Sequence, residues 1–124
     1  MITTIYAAIC ALLLMKLAYR VIQLRRQYKV SLGDGGVLEL EQAIAAHSNA
    51  SQYIPIALIL LFLLEYNSKN IWLVNMLAII FVIGRFIHAW GIFHNLKARI
   101  LGMQLTIYSI VFLAISNIIV IILR

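Results

Sequence analysis

The residues of this 124-residue chain whose types and spacing point to chemistry are cations and amides rather than nucleophiles. From Ala46 to Pro55 the sequence runs Ala-His-Ser-Asn-Ala-Ser-Gln-Tyr-Ile-Pro, hydrogen-bonding side chains set directly against an apolar run from Ile54 to Leu64. Arg85 and His88 lie three apart inside another apolar stretch and so share one helix face. Arg25, Arg26 and Arg99 add fixed positive charge near the ends of apolar segments. If these arginines converge with Asn49, Gln52 and Tyr53, they form an anion site suited to a carboxylate-bearing or thiolate-bearing ligand, because guanidinium groups make charge-assisted hydrogen bonds to such groups. The alternative for Arg85 is structural, a clamp on a backbone carbonyl or on Glu41.

Other chemistries lack their parts. His47, His88 and His94 with Glu41 match no zinc spacing, so no metal site is expected. Ser48 and Ser51 near His47 have no orienting acid and no oxyanion-hole motif, which favours local helix hydrogen bonding. The Gly33-Asp34-Gly35-Gly36 run lacks the Lys-Ser/Thr ending and preceding strand of a phosphate loop, and reads as a connection. Cys10 is the single cysteine, which excludes an intrachain disulfide and suits a buried packing residue. Asn49-Ala50-Ser51 matches a glycosylation acceptor, but a helix at membrane depth cannot present it. The net charge of +6 forms no basic stripe interleaved with aromatics, so nucleic acid is not an expected partner.

The elements that position these residues follow from hydropathy. With 65% apolar and 11% charged residues, the chain lies far from soluble averages. The sequence predicts an all-α membrane protein, a four-helix transmembrane bundle forming a single domain over 1–124, with spans at about 2–25, 38–65, 71–94 and 99–123. The first is read as a retained span, since no positive charge precedes it and no cleavage pattern follows. Its Lys16 either snorkels, lines a cavity or pairs with an acid. The apolar run from Ile54 to Leu64 reaches only about 16 Å into a core about 30 Å thick. The polar half of the second helix must therefore lie partly at membrane depth, enclosed by the bundle or its oligomer. Pro55 should bend this helix, and Ala46 and Ala50 should admit a close neighbour. Trp72 and Trp90 mark the two interfaces. Six basic residues around the first and third loops against two on the other side orient those loops inward and the termini outward.

Four segments carry a resemblance across essentially the whole chain: Arg25-Arg26-x-x-Lys29-Val30, Glu41 through Ala46-x-x-Asn49-x-x-x-Tyr53-x-Pro55, Gly84-Arg85-x-x-His88, and Arg99-x-x-Gly102-x-x-x-Thr106. In these the chain resembles the membrane-associated proteins in eicosanoid and glutathione metabolism, the MAPEG family, and most of all its small bacterial branch. The resemblance implies a homotrimer in the cytoplasmic (inner) membrane that binds glutathione between subunits and meets lipophilic small molecules arriving from the bilayer. By the same carry-over Arg25, Asn49, Gln52, Tyr53 and His88 hold the tripeptide and Arg99 stabilises its thiolate, giving a transferase or peroxidase. Three departures stand out: Ala45 where many members have an Arg, Gln52 where they have a Glu, and Ile92 where they use a Tyr. A bundle that kept the fold as a binding or scaffold protein is the alternative. A small exporter fits less well, since the first helix offers Lys16 where such proteins place an acid.

Overall fold

The computed structural model describes residues 1–124 as four helices, α1 (Thr3–Tyr28), α2 (Leu38–Asn67), α3 (Ile71–His94) and α4 (Leu96–Ile122), with no strand. All four are long and apolar enough to cross a membrane. The surface supports the same reading, because only 26 of 124 residues are buried while Leu12, Phe62, Ile79, Ile107 and Phe112 face outward, an arrangement that lipid solvates and water does not.

Two boundaries differ from expectation. The polar stretch His94 to Arg99 is not a loop: α4 starts at Leu96, and Asn95 alone separates it from α3. Asn95 acts as the N-cap, its Oδ1 accepting from the backbone N–H of Lys97 at 2.8 Å and of Ala98 at 3.4 Å. α1 also continues three residues past Arg25, ending where Lys29 takes a left-handed conformation at φ 55°. In the following loop Asp34 Oδ1 accepts from Gly36 N at 2.9 Å, and Gly35 adopts φ 57° against Val30, where a side chain would collide.

α2 lies at the centre and buries one continuous stripe, Leu40, Ala43, Ala46, Ala50, Ile54, Ala57, Leu61 and Leu64, at three- and four-residue spacing. Its small residues bring Cys10, Leu13 and Leu17 of α1 and Phe81 and Ala89 of α3 into one cluster, with Ala46 and Ala50 as the expected close strip. α3 and α4 approach still more tightly. A side chain at Gly102 would overlap the His88 backbone, and one at Gly91 would overlap that of Arg99.

Lipid tails are as apolar as leucine, so burial alone gives little preference for one helix partner over another, and polar contacts add specificity. Tyr6 on α1 donates to Asn75 Oδ1 on α3 at 2.9 Å, and Asn117 on α4 donates to the Leu60 carbonyl on α2 at 2.9 Å. Glu65 near the end of α2 receives the first-turn donors of α1: Ile2 N at 2.6 Å, Thr3 N at 2.8 Å and the Thr3 hydroxyl. A carboxylate here satisfies amides that have no intrahelical partner and complements the positive end of the helix dipole.

Glu65→Ala should free the first turn of α1 and lose about 1–2 kcal/mol. Hydrogen exchange of the amides from Ile2 to Tyr6 checks this, with faster exchange confined to that turn expected; unchanged protection would show that Glu65 is not the cap.

Candidate functional site

Arg85 sits where α2, α3 and α4 meet and is 1% exposed. Its Nη2 donates to Asn49 Oδ1 on α2 at 2.6 Å, and its Nη1 to Thr106 Oγ1 on α4 at 3.3 Å. The guanidinium carbon lies 5.8 Å from the centroid of the Tyr53 ring, one turn along α2 from Asn49, within cation–π range. Thr106 passes the interaction on, its hydroxyl donating to the Gly102 carbonyl at 2.8 Å. No carboxylate takes part: Glu41 is exposed and makes no bond to Arg85. The charge is held by an amide, a hydroxyl and a ring face, with Nε left without a partner. The clamp reading of Arg85 is thus right in kind, but its partners are Asn49 and Thr106 in place of a carbonyl or Glu41.

His88 lies one turn along α3 and is 3% exposed. Its Nδ1 is 3.0 Å from the Arg99 carbonyl oxygen; since a carbonyl only accepts, Nδ1 carries the proton. Its Nε2 is buried without a partner. Asn49 is engaged within the bundle, its oxygen accepting from Arg85 and one amide N–H donating weakly to Met103 Sδ at 3.8 Å.

The other candidates lie elsewhere. Arg99 has its backbone against His88 but its side chain is exposed, lining a cavity of about 250 Å³ with Gln42, Ile92 and His94. Arg25 is half-buried at the end of α1, its Nη1 donating to the Gly33 carbonyl at 2.7 Å, so it ties down the glycine-rich loop. Arg26 faces a shallow depression there with Lys29 and Ser31. Gln52 is exposed and makes no hydrogen bond within the subunit, while Tyr53 is half-buried beneath Arg85. The expected convergence of Arg25, Arg26, Arg85 and Arg99 therefore does not occur within the chain. Arg85 forms an inner clasp with Asn49, Tyr53 and Thr106, and the remaining arginines form an outer rim.

The same division runs along α2. Its Asn49 face turns into the bundle, but Glu41, Ala45, Ser48 and Gln52 form an exposed strip. The hydrophilic side of this helix is thus only half enclosed by the bundle. Ser51 satisfies itself by donating to the His47 carbonyl at 2.9 Å, whereas Ser48 and Gln52 have no partner. At membrane depth such groups call for cover by protein or trapped water.

Sequence reasoning did not assign Glu65, Met103 or the role of Thr106. Thr106 carried one signal, its four-residue spacing from Gly102, since a hydroxyl one turn from a glycine can reach both that carbonyl and a neighbouring helix.

The sequence matches the model of the MAPEG family over residues 3–119. It is 41% identical over 118 residues to the inner membrane protein YecN of Escherichia coli K12, covering 94% of this chain and 90% of that protein. YecN of Escherichia coli O6:H1 matches with the same identity and coverage.

Asn49→Leu removes the strongest acceptor from a buried cation and should destabilise the bundle by about 2 kcal/mol. Arg85→Met in the same chain should recover much of that loss, since removing both partners leaves no unpaired charge. Unfolding midpoints of the two single variants and the double variant in detergent check the coupling; additive effects would show that the two residues do not interact.

Proposed function

The chain belongs to the MAPEG family, and on that premise we propose that it is a glutathione-dependent transferase or peroxidase of the inner membrane, assembled as a homotrimer with glutathione bound between neighbouring subunits. The observation that carries this reading is the exposed polar strip of α2. Ser48 and Gln52 lie on a membrane-spanning helix without partners, and a second subunit closing over them would create an enclosed, hydrogen-bonding cleft. A site between subunits also accounts for Arg25, Gln52 and Arg99 being apart within one chain, since each can face a cleft that the subunit alone does not form.

The side chains suit the ligand. Glutathione carries carboxylates, amides and a thiol, and the strip and rim offer Arg25, Arg26 and Arg99 with Gln52 and Ser48. Asn49 and Tyr53 contribute through the Arg85 clasp, which stiffens the wall of the cleft, and the free Nε2 of His88 points to a further polar contact. Glutathione supplies the thiol nucleophile for attack on a lipophilic electrophile or peroxide. Arg99, exposed and not engaged elsewhere through its side chain, lowers the thiol pKa by favouring the thiolate. The apolar surroundings bring an electrophile delivered by the bilayer into reach. The name of the YecN relatives and the basic residues flanking the first and third connections support a multi-pass inner-membrane location with those connections in the cytoplasm.

One observation favours a second reading, a binding protein without turnover. Ala45 and Gln52 both face the exposed strip. Exchange of an Arg and a Glu for these two removes a charge pair from the proposed cleft without leaving a lone ion, which spares the fold and weakens the hold on the ligand.

Purified protein should bind glutathione, measured by calorimetry, and conjugate a chlorodinitrobenzene or reduce a lipid hydroperoxide. Arg99→Ala should lower turnover by about a hundredfold, with a much smaller change in glutathione affinity. Binding without product, unaffected by Arg99→Ala, supports the second reading; neither binding nor product overturns both.

A further inference from the structure

A second feature lies away from the α2 strip. Between α1 and α3 the bundle opens into two cavities of about 280 and 530 Å³ that share Lys16, Leu17, Phe93 and His94 and so form one groove. Its deep part is apolar, walled by Leu13, Leu17, Phe86, Ala89 and Phe93. Its mouth is polar, with Lys16, Arg20, Gln23 and Glu39. Lys16 and Arg20 lie four apart on α1, both exposed, and neither has a hydrogen-bond or ion-pair partner. Two cations against one carboxylate leave the mouth net positive.

Depth decides which molecule matches. Trp72 and Trp90 are eighteen positions apart on α3, about 27 Å along the helix, close to the thickness of the hydrocarbon core. Trp90, 53% exposed, therefore marks the interface on the side of the α1–α2 loop. Trp90 lines the same groove as Lys16, so the cation lies at headgroup level and not at the membrane centre. His94 fixes this corner by donating its Nδ1–H to the Trp90 carbonyl at 2.9 Å and stacking on the indole at 4.6 Å. Positive charge at phosphate depth with an apolar trough leading inward is complementary to an anionic amphiphile of the bilayer.

We infer that this groove binds an anionic glycerophospholipid from the leaflet on the α1–α2 loop side, with its phosphate held by Lys16 and Arg20 and one acyl chain lying over Leu13, Phe86 and Ala89. The glutathione reading is not needed for this inference: the groove shares Gln42, Phe93 and His94 with the cavity that Arg99 lines, but Lys16, Arg20 and the apolar wall of Leu13, Phe86 and Ala89 lie outside it. Lys16 is then neither a stray charge nor half of an ion pair. It is the headgroup contact.

Trp90 provides the readout. Trp72→Phe leaves it as the only tryptophan, and a brominated acyl chain quenches indole fluorescence on contact. Full-length Trp72→Phe protein in phosphatidylcholine vesicles is titrated with brominated phosphatidylglycerol or brominated phosphatidylcholine. Phosphatidylglycerol should quench at a mole fraction lower by about thirtyfold, the scale expected for two interfacial cations. Lys16→Gln with Arg20→Gln should abolish that preference, and Lys16→Arg should keep it, which separates loss of charge from loss of fold. Equal quenching by the two lipids, a preference that survives the double substitution, or no quenching by either because a second copy fills the groove would each overturn the inference.

Discussion

A guanidinium without a counter-ion, held inside a membrane-embedded bundle, is the constraint on which the rest of the structure depends. Placing an arginine in the middle of a membrane helix costs roughly 2.5–3.5 kcal/mol on insertion scales, and the cost is tolerated when the charge faces protein. Arg85 achieves this with neutral partners from two other helices and one aromatic face. Each partner has a positional requirement. Thr106 must approach α3 closely, which Gly84 and Gly102 permit, since a side chain at Gly84 would sit 2.8 Å from Leu105 Cβ. Asn49 must face inward, which turns Ala46, Ala50 and Tyr53 toward the bundle and leaves Ala45, Ser48 and Gln52 outside.

From this clasp the two ends of the bundle diverge. Toward the chain termini, single polar contacts carry specificity between helices whose apolar surfaces have little preference of their own: Glu65 on the start of α1, Tyr6 on Asn75, Asn117 on the Leu60 carbonyl and Arg124 on Asn67 at 3.0 Å. Toward the α1–α2 loop, polar side chains are left free. Arg99, Lys16 and Arg20 are exposed there without hydrogen-bond partners in the chain, and Gln52, level with the clasp, is likewise free.

The clasp also separates the polar groups that hold the bundle together from those left exposed. Asn49 and His88 are committed within the subunit through the Arg85 guanidinium and the Arg99 carbonyl, so they stiffen the helices that carry Arg99 and Gln52. Ala45 and Gln52 lie on the exposed strip of α2 and take no part in the hydrogen bonds that hold Arg85.

The four helices, the buried small-residue strip of Ala46 and Ala50 and the inward direction of Arg85 were legible in the sequence, because hydropathy, length and helical spacing are properties of neighbouring residues. The partners were not. Whether Arg85 finds Asn49 or Glu41 depends on the rotation of α2 about its own axis, a choice made by contacts 36 residues apart in sequence, and Glu65 meets Thr3 across 62. The shortening of the last connection to Asn95 followed from a cap that competes with a loop of similar polarity. Tertiary structure alone decided that the arginines divide into an inner clasp and an outer rim. Spacing along a helix says which side chains share a face, but only packing says what that face meets.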